Sequence, residues 1–413
     1  MSVPRLMLSS LAGAGRFCVL GSGAARWKSV RARNRRGLSD LHPQLSPSQG
    51  FRDSPSWMPK NRSEPRSYIT NPKLATTLVQ ILQKENRNRH QLFLECNPGP
   101  GILTQALLES QAKVIALECN RTFLPHLQSL RTKVTRKLEV VHCDFFKLDP
   151  RNSGIVKPPI MLSETLFQNL GIEALPWSED NPLRVVGIFP AKNEKKILWK
   201  LLYDLYSSTS IYSYGRVQLN MFIAEKEYEK LVADPQNNLY QPLSVLWQVA
   251  CEIKLLHVAV IIWDTLQKTQ RNVLVLSSLK EPWSSFSVYN QVGGPKKSKN
   301  KESLEQINKQ NMCFIQLTPL QNLFTENLTS VNYDIFFHML KQCFMKRHAT
   351  LMDHLQSLSP VNAVAILKEI EKDGDMKITD LYPEDFKLLF ETIESFRESC
   401  RWLFDDSLED IIL

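Results

Sequence analysis

Short apolar runs alternate with helical patterns along the central part of the chain. Five runs rich in β-branched and aromatic residues predict strands at 92–96, 113–117, 138–142, 183–189 and 217–223. Between them, apolar residues recur at spacings of three and four, which predicts helices at 103–110, 122–130 and 194–205. Strands that alternate with helices are typical of a mostly parallel sheet flanked by helices. The pattern therefore predicts an α/β, Rossmann-like fold.

The pattern changes towards the C-terminus. Residues 293–301 hold Gly, Pro and Lys with almost nothing to bury, and a run at 312–317 predicts one more strand. Beyond it the spacing predicts helices at 332–344, 360–370 and 383–396, with Ser359 and Pro383 as their candidate start signals. We therefore expect an α/β domain over residues 68–320 and a smaller all-α domain over 321–413. The second domain ends in an acidic tail with Asp405, Asp406, Glu409 and Asp410.

The N-terminal part of the chain has a different composition. Its first 39 residues contain eight Arg and Lys residues and no acidic residue. An Arg-rich, acid-free leader predicts a mitochondrial transit peptide over residues 1–40, with a disordered basic tail as the alternative. Pro, Ser and Arg dominate the next stretch, so we expect a flexible linker over 41–67. The apolar residues at 11–20 are too few to span a bilayer, and we expect no membrane association.

Charge and cysteine usage narrow the class of protein. Lys and Arg outnumber Asp and Glu by 51 to 42, which favours a polyanionic partner such as a nucleic acid. The 8 cysteines form no CxxC pair and no Cys/His cluster with the spacing of a zinc site. We therefore expect reduced thiols in the core and no metal.

Three features at successive strand ends predict a nucleotide-type cofactor site. Gly99 and Gly101 follow the first strand, where residues without a Cβ let the backbone turn sharply and approach a ligand. Glu118 ends the second strand, about 20 residues later, where a carboxylate can accept the hydroxyls of a ribose. Asp144 ends the third strand and can accept a hydrogen bond from an adenine amino group. Each residue alone is common at turns and caps, but their order favours a site.

These motifs resemble those of the ribosomal RNA adenine dimethyltransferase family over residues 68–358. The run ECNPGPGILTQALLE, with Asn97 where the family usually has Gly, and the run HCDFFKLDP are similar to the branch of mitochondrial transcription factors B. The resemblance implies a methyltransferase domain that binds S-adenosylmethionine through the three strand ends. It also implies a cofactor contact from the segment before the first strand, which includes Ile69.

The resemblance also locates the loop that would bind the target adenine. Family enzymes carry Asn-Leu-Pro-Tyr or Asn-Leu-Pro-Phe after the fourth strand, where Asn accepts the amine hydrogens and the ring stacks on the base. This chain has Ile188, Phe189, Pro190 and Ala191 instead. Ile188 offers no acceptor and Ala191 no ring, so we expect methylation to be slow or absent, and we assign no catalytic residue. Phe189 and Pro190 are interpreted as the end of a buried strand.

Two basic segments are candidates for contact with nucleic acid. Lys296 and Lys297 lie in the lysine-rich run at 293–301, which could equally be a solvated charge run. Lys346 and Arg347 extend a predicted helix that also carries Lys341, and they match a family signature that spans 344–351. Phosphate contacts require positive charge but no fixed sequence, so this second group predicts a surface for DNA or RNA.

One segment fits the resemblance poorly. Residues 258–280 separate two stretches that lie much closer together in the family. The segment is either an inserted hairpin, to which its two β-rich runs are suited, or a stretch that the working protein lacks through alternative splicing. No function is assigned to it.

Three functions follow as hypotheses. The resemblance implies first a transcription initiation factor of the mitochondrial matrix and nucleoid. It would join the mitochondrial RNA polymerase and mitochondrial transcription factor A, and melt promoter DNA. The alternative is an enzyme that dimethylates two adjacent adenosines in small-subunit ribosomal RNA. A third hypothesis is an RNA-binding assembly factor without a polymerase partner.

Overall fold

The computed structural model describes residues 66–84, 92–133, 137–150, 156–262, 275–278, 309–359 and 362–396. The predicted transit peptide, nearly all of the predicted linker, Lys296, Lys297 and the acidic tail lie outside the described residues. The first described residue is Arg66, two positions before the predicted start of the α/β domain.

The described strands form one sheet with the order β3-β2-β1-β4-β5-β8-β6-β7. Strands β1 to β5 pair in parallel, whereas β8 runs antiparallel to both β5 and β6. The strands are β1 Leu92–Cys96, β2 Lys113–Leu117, β3 Leu138–Val141, β4 Asp180–Ile188, β5 Arg216–Ala224, β6 Cys251–Ile262, β7 Val275–Ser278 and β8 Lys309–Pro319. The prediction of a mostly parallel sheet is confirmed, and the first two strands have the predicted bounds.

Alternate strand residues enter two apolar clusters, one on each face of the sheet. Leu94 and Ile115 belong to the first cluster, and their neighbours Phe93 and Val114 to the second. Because both faces are covered, the central strands are nearly uninterrupted apolar runs, which is why the sequence pattern identified them. The inner strands also pack closely: a Cβ on Gly187 of β4 would lie 2.8 Å from Cys96 Cβ of β1.

Helices cover both faces and continue beyond the last strand. They are α1 Pro72–Lys84, α2 Ile102–Glu109, α3 Leu124–Lys133, α4 Ser163–Leu170, α5 Glu194–Tyr206, α6 Glu225–Leu231, α7 Pro242–Ala250, α8 Tyr333–Met345, α9 Leu351–Leu358, α10 Ala363–Glu369 and α11 Pro383–Ser395. The predicted helices correspond to α2, α3, α5, α8, α10 and α11, and Pro383 begins α11 as expected.

The expectation that Ser359 starts a helix is wrong. Ser359 ends α9, where its backbone N–H donates to Leu355 O at 2.7 Å, and α10 begins only after Asn362. The predicted helix at 360–370 corresponds to α10 alone, and α9 was not predicted.

The helices after residue 320 share the first apolar cluster with the sheet. Phe336 of α8 and Phe390 of α11 are fully buried in the cluster that also contains Leu94. The hydroxyl of Tyr240, just before α7, donates to Leu381 O at 2.9 Å. A boundary at 320/321 stays a prediction, and both sides of it build a common core.

The strands expected within 258–280 are formed. Strand β6 extends to Ile262 and pairs antiparallel with β7, with Ala259 opposite Ser278 and Ile262 opposite Val275. Of the two interpretations of this segment, this pairing agrees with the hairpin.

The remaining class predictions concern thiols and membranes. Six cysteines lie among the described residues, all unpaired, and five of them are buried, as expected for reduced core thiols. Within the same residues, every helix is too short or too polar to cross a bilayer.

Candidate cofactor site and nucleic-acid surface

The turn after β1 depends on glycine at two positions. Gly99 and Gly101 have φ of 59° and 75°, in the left-handed region that residues with a Cβ rarely adopt. A Cβ on Gly99 would lie 2.3 Å from the ring of Tyr68, and one on Gly101 would lie 3.0 Å from Leu127 of α3. The missing side chain of Gly99 therefore allows the Tyr68 ring to approach the turn, and that of Gly101 allows α2 to begin in contact with α3.

Asn97 explains one departure from the family pattern. Its φ is 51°, and Asn is the residue that tolerates this conformation best after Gly. The substitution therefore keeps the shape of the turn. The side-chain oxygen of Asn97 is buried and has no hydrogen-bond partner among the described residues.

Glu118 fastens the glycine turn to the end of β2. Its side chain is fully buried, and Oε2 accepts the N–H of Gly99 at 2.9 Å while Oε1 accepts the N–H of Asn120 at 2.6 Å. Burial raises the pKa of this carboxyl group, and the two backbone donors and Arg66 oppose that shift. Two backbone amides and one carboxylate thus fix the geometry where a ribose was predicted to bind.

Asp144 lies at the end of β3 and is 1% exposed. Its Oδ2 accepts a hydrogen bond from Arg66 Nη2 at 2.8 Å and lies 3.7 Å from Lys147 Nζ. Its Oδ1 accepts the N–H of Phe146 at 3.3 Å. The structure therefore brings Gly99, Glu118 and Asp144 to one edge of the sheet, as the sequence predicted.

Sequence reasoning missed Arg66. It lies 78 positions before its partner Asp144, in a stretch that the composition indicated to be a flexible linker. Single sequences give no signal for such long-range ion pairs. Ile69, by contrast, was predicted at the site, but its side chain is buried in the second apolar cluster with Leu74 and Leu103. The prediction for Ile69 therefore concerns its backbone only.

A second buried acid, Glu95 of β1, was also missed. Glu95 is 2% exposed, and the Thr104 hydroxyl of α2 donates to its Oε2 at 2.6 Å. Burial raises the pKa of Glu95 to about 8, with a smaller contribution from Glu118. The side chain is therefore a neutral acid near pH 7, and it joins the first strand to the helix that follows the turn.

Residues 188–191, which we call the target-base loop after the role that the resemblance implies, have a tightly packed centre. Phe189 is 1% exposed, packs against Phe146 with ring centroids 5.8 Å apart, and donates its N–H to Phe222 O. Pro190 O already accepts the N–H of Asn193 at 2.9 Å, and Ala191 is exposed. Phe189 thus ends a buried strand, as interpreted, and the one retained carbonyl serves the turn into α5.

Glu194 holds the start of α5 beside this loop. Its Oε1 accepts the N–H of Ala224 at the end of β5, 3.0 Å away. Burial raises the pKa of Glu194 to about 7. The loop is therefore connected to two strands, β4 through the chain and β5 through this carboxyl group.

The basic residues around α8 have a different position from the one predicted. The helix ends at Met345, so Lys346 and Arg347 lie in the turn before α9 and do not extend α8. Thr350 and Asp353 form a capping box that starts α9 at Leu351 and prevents the helix from continuing. We refer to residues 346–350 as the basic turn.

Apolar side chains on either side of the basic turn are packed in the core, whereas its basic side chains are exposed or half-buried. Phe344, just before it, packs against Tyr240 and Phe386, each with ring centroids 5.6 Å away, and Leu351 after it is fully buried. Lys346, like Lys341 on α8, is exposed, and Arg347 is half-buried. The apolar ends of the family signature therefore anchor the turn in the core, and its lysine faces solvent.

The fold and site define a class. A parallel sheet with a glycine turn and two acids at successive strand ends is the arrangement of a Rossmann-like methyltransferase domain. A family model for ribosomal RNA adenine dimethylase matches residues 59–395, and the chain belongs to this family.

A relative that covers nearly the whole chain agrees with this assignment. The chain is 54% identical over 409 residues to Dimethyladenosine transferase 2, mitochondrial, of Homo sapiens, covering 98% of this chain and 97% of the relative. It is 25% identical over 179 residues to Dimethyladenosine transferase 1, mitochondrial, of the same species, covering 42% and 47%. A solved dimethyladenosine transferase of Plasmodium falciparum is 15% identical, with a TM-score of 0.47, and the match covers 78% of this chain and 95% of that one.

Family membership confirms the resemblance stated from the motifs, and the cofactor of this family is S-adenosylmethionine. The acids at the strand ends fit a cofactor with ribose and adenine groups. Among the described residues, no cluster of His, Cys, Asp and Glu has the geometry of a metal site.

We predict that Glu118→Ala weakens S-adenosylmethionine binding about tenfold or more, because it removes an acceptor worth about 1–3 kcal/mol. It also leaves the amides of Gly99 and Asn120 without their acceptor, so the free energy of unfolding should fall. Titration calorimetry measures the affinity. Glu139→Ala removes an acid from the exposed pair with Arg131 and is the control. Equal affinity of Glu118→Ala and the parent would exclude Glu118 from the cofactor site.

Glu95 predicts a pH dependence of stability. Its pKa is about 8 in the folded chain against an ordinary 4.5, so the folded state binds the additional proton between these values. Stability should therefore fall as pH rises from about 4.5 to about 8, and then become level. Glu95→Gln keeps an acceptor for Thr104 and should flatten this slope. Urea unfolding midpoints of the parent and Glu95→Gln over the same pH range test this prediction. Glu194, whose raised pKa changes stability in the same direction, is present in both proteins. Identical slopes would contradict the prediction.

Proposed function

We propose that this chain acts in mitochondrial transcription initiation, as a nucleic-acid-binding partner of the mitochondrial RNA polymerase on a methyltransferase fold of weak or vestigial activity. The observation that carries the proposal is the target-base loop. Ile188 and Ala191 stand where the chemistry needs an amide acceptor and an aromatic ring. The surrounding strand is nevertheless intact and buried.

The missing acceptor and ring at Ile188 and Ala191 affect only the transfer of the methyl group to adenine. An exocyclic adenine nitrogen attacks a sulfonium methyl when its amine hydrogens are held and its ring is stacked. Ile188 supplies no acceptor and Ala191 no ring. Because each 1.36 kcal/mol is a tenfold change in rate, loss of both interactions predicts slow methylation. Folding and nucleic-acid binding do not require an amide at position 188 or an aromatic ring at position 191.

The basic turn supports the binding role. Lys341 and Lys346 are exposed, and the anchored neighbours Phe344 and Leu351 fix where the turn stands on the surface. Exposed lysines at a turn with anchored neighbours suit phosphates in DNA or RNA, which need positive charge at a defined position.

The cellular setting is proposed from the sequence and the relatives. The human relative that covers nearly the whole chain is named mitochondrial, which agrees with the acid-free leader of this chain. We place the chain in the mitochondrial matrix, at the nucleoid, with promoter DNA and mitochondrial transcription factor A as further partners.

The second candidate is a ribosomal RNA adenine dimethyltransferase. The family name implies an RNA substrate, and Gly99, Glu118 and Asp144 retain the arrangement that S-adenosylmethionine would need. Under this hypothesis the chain dimethylates two adjacent adenosines of the small-subunit RNA despite the altered loop.

Charge reversal at the basic turn separates binding from methylation. We predict that Lys346→Glu with Arg347→Glu lowers promoter-dependent run-off transcription with purified polymerase at least several-fold. DNA binding should also become less dependent on salt, because fewer phosphate contacts release counterions. The control reverses two exposed lysines elsewhere, Lys73→Glu with Lys113→Glu, for the same change in net charge. If both pairs reduce transcription equally, the basic turn has no specific role.

Restoring the missing groups tests the altered loop. We predict that Ile188→Asn with Ala191→Tyr raises dimethylation of a ribosomal hairpin at least tenfold above the parent, because an acceptor and a stacking ring return. Circular dichroism must first show a folded variant, since Ile188 is partly buried. A parent that already methylates at the rate of a competent family enzyme would favour the second candidate.

A further inference from the structure

The strand-end acids are covered by the chain's own N-terminal segment. Asp144 is 1% exposed and Glu118 is fully buried. Arg66 and Tyr68 are among the residues that reach them, and we call residues 66–68 the gate segment.

Arg66 is hydrogen-bonded to Asp144, the carboxylate that was predicted to accept the adenine amino group. Its Nη2 donates to Asp144 Oδ2 at 2.8 Å, and its charge also acts on Glu118. Only 15% of the Arg66 side chain is exposed, and its Nη1 is buried with no hydrogen-bond partner among the described residues. A guanidinium and an adenine amino group are both N–H donors, so they compete for the same carboxylate oxygen. Arg66 is the stronger donor because it is charged.

Tyr68 covers the glycine turn. The space that a Cβ of Gly99 would take lies 2.3 to 2.9 Å from three atoms of the Tyr68 ring. The ring is supported from the other side by Phe123, edge to face, with centroids 5.1 Å apart. The face of Gly99 that its missing side chain leaves open is therefore already in contact with protein.

The C-terminal end of the gate segment is anchored in the core. Ile69 is buried in the second apolar cluster, and Asn71 accepts the N–H of Lys73 at 2.9 Å at the start of α1. Arg66, at the other end, is attached through its contact with Asp144. Moving Arg66 and Tyr68 outward would break the Arg66–Asp144 ion pair, the Tyr68–Phe123 ring contact and the side-chain hydrogen bond between Tyr68 and Asn120. Ile69 would keep its place in the second apolar cluster.

We propose that the gate segment closes the cofactor site by substituting for the cofactor, with Arg66 at the adenine acceptor and Tyr68 over the glycine turn. S-adenosylmethionine then binds only when the segment is displaced. The inference concerns the cofactor site and holds whether or not the chain acts in transcription.

The opposite arrangement has distinct consequences. If the segment instead clamps a bound cofactor, Arg66 and Tyr68 contribute to affinity, and their removal weakens binding. The sign of the change in affinity therefore decides between a gate and a clamp.

Calorimetry with S-adenosylmethionine and with S-adenosylhomocysteine, on the full chain, tests the proposal. Arg66→Ala should tighten binding of both about tenfold, because a charge-assisted contact no longer has to be broken. Arg66→Lys, which keeps the charge without the planar fork, should fall between variant and parent. Arg216→Ala is the control, since Arg216 is similarly buried and pairs with Asp180 at 2.6 Å at the opposite edge of the parallel strands. Its affinity should match the parent.

Two further measurements test the gate independently of Arg66→Ala. Tyr68→Ala should tighten binding in the same direction if Arg66→Ala fails to fold. In the parent, saturating cofactor should speed hydrogen exchange in peptides covering 66–70, because the segment is released. Weaker binding by Arg66→Ala, slower exchange with cofactor, or no binding by folded parent and variants at millimolar concentration would each overturn the gate.

Discussion

The arrangement at the strand ends depends on one carboxylate. Glu118 receives the amide of Gly99 from the turn after β1 and the amide of Asn120 from its own strand end. A buried acid with two backbone donors is costly to disturb, because each amide would lose its acceptor away from water. The position of the turn and the start of α2 follow from this connection. The site is therefore a property of the backbone as much as of its side chains.

At residues 188–191, different side chains account for the departures from the family motif and for the packing. Ile188 and Ala191 stand where the motif has Asn and an aromatic residue, whereas Phe189, in place of the motif's Leu, is buried against Phe146. Burial constrains Phe189 through packing, and that constraint does not extend to its neighbours. An activity can therefore weaken at such a loop while the fold that supported it persists. The same separation holds at the basic turn, where Phe344 and Leu351 are fixed by the core and Lys346 is not.

Much of the fold could be predicted because the central strands are buried on both faces. Strands β1 and β2 have the predicted bounds, since a continuous apolar run between turn residues allows few alternatives. Helices such as α6 are short, with only Glu227 and Leu231 buried, so their periodicity is weak. Glu118 and Asp144 could be predicted because strand ends converge at one edge. Arg66 could not, because an ion pair across 78 positions leaves no local pattern.

The helices after β8 have no core of their own, because Phe336, Phe390 and their neighbours complete the cluster on one face of the sheet. Such a region cannot be exchanged or deleted as an independent module: removing it would expose the apolar face of the sheet to water. If the basic turn contacts a nucleic acid as proposed, a pull on it would be transmitted through Phe344 into the cluster that also contains Val185 of β4 and Leu219 of β5.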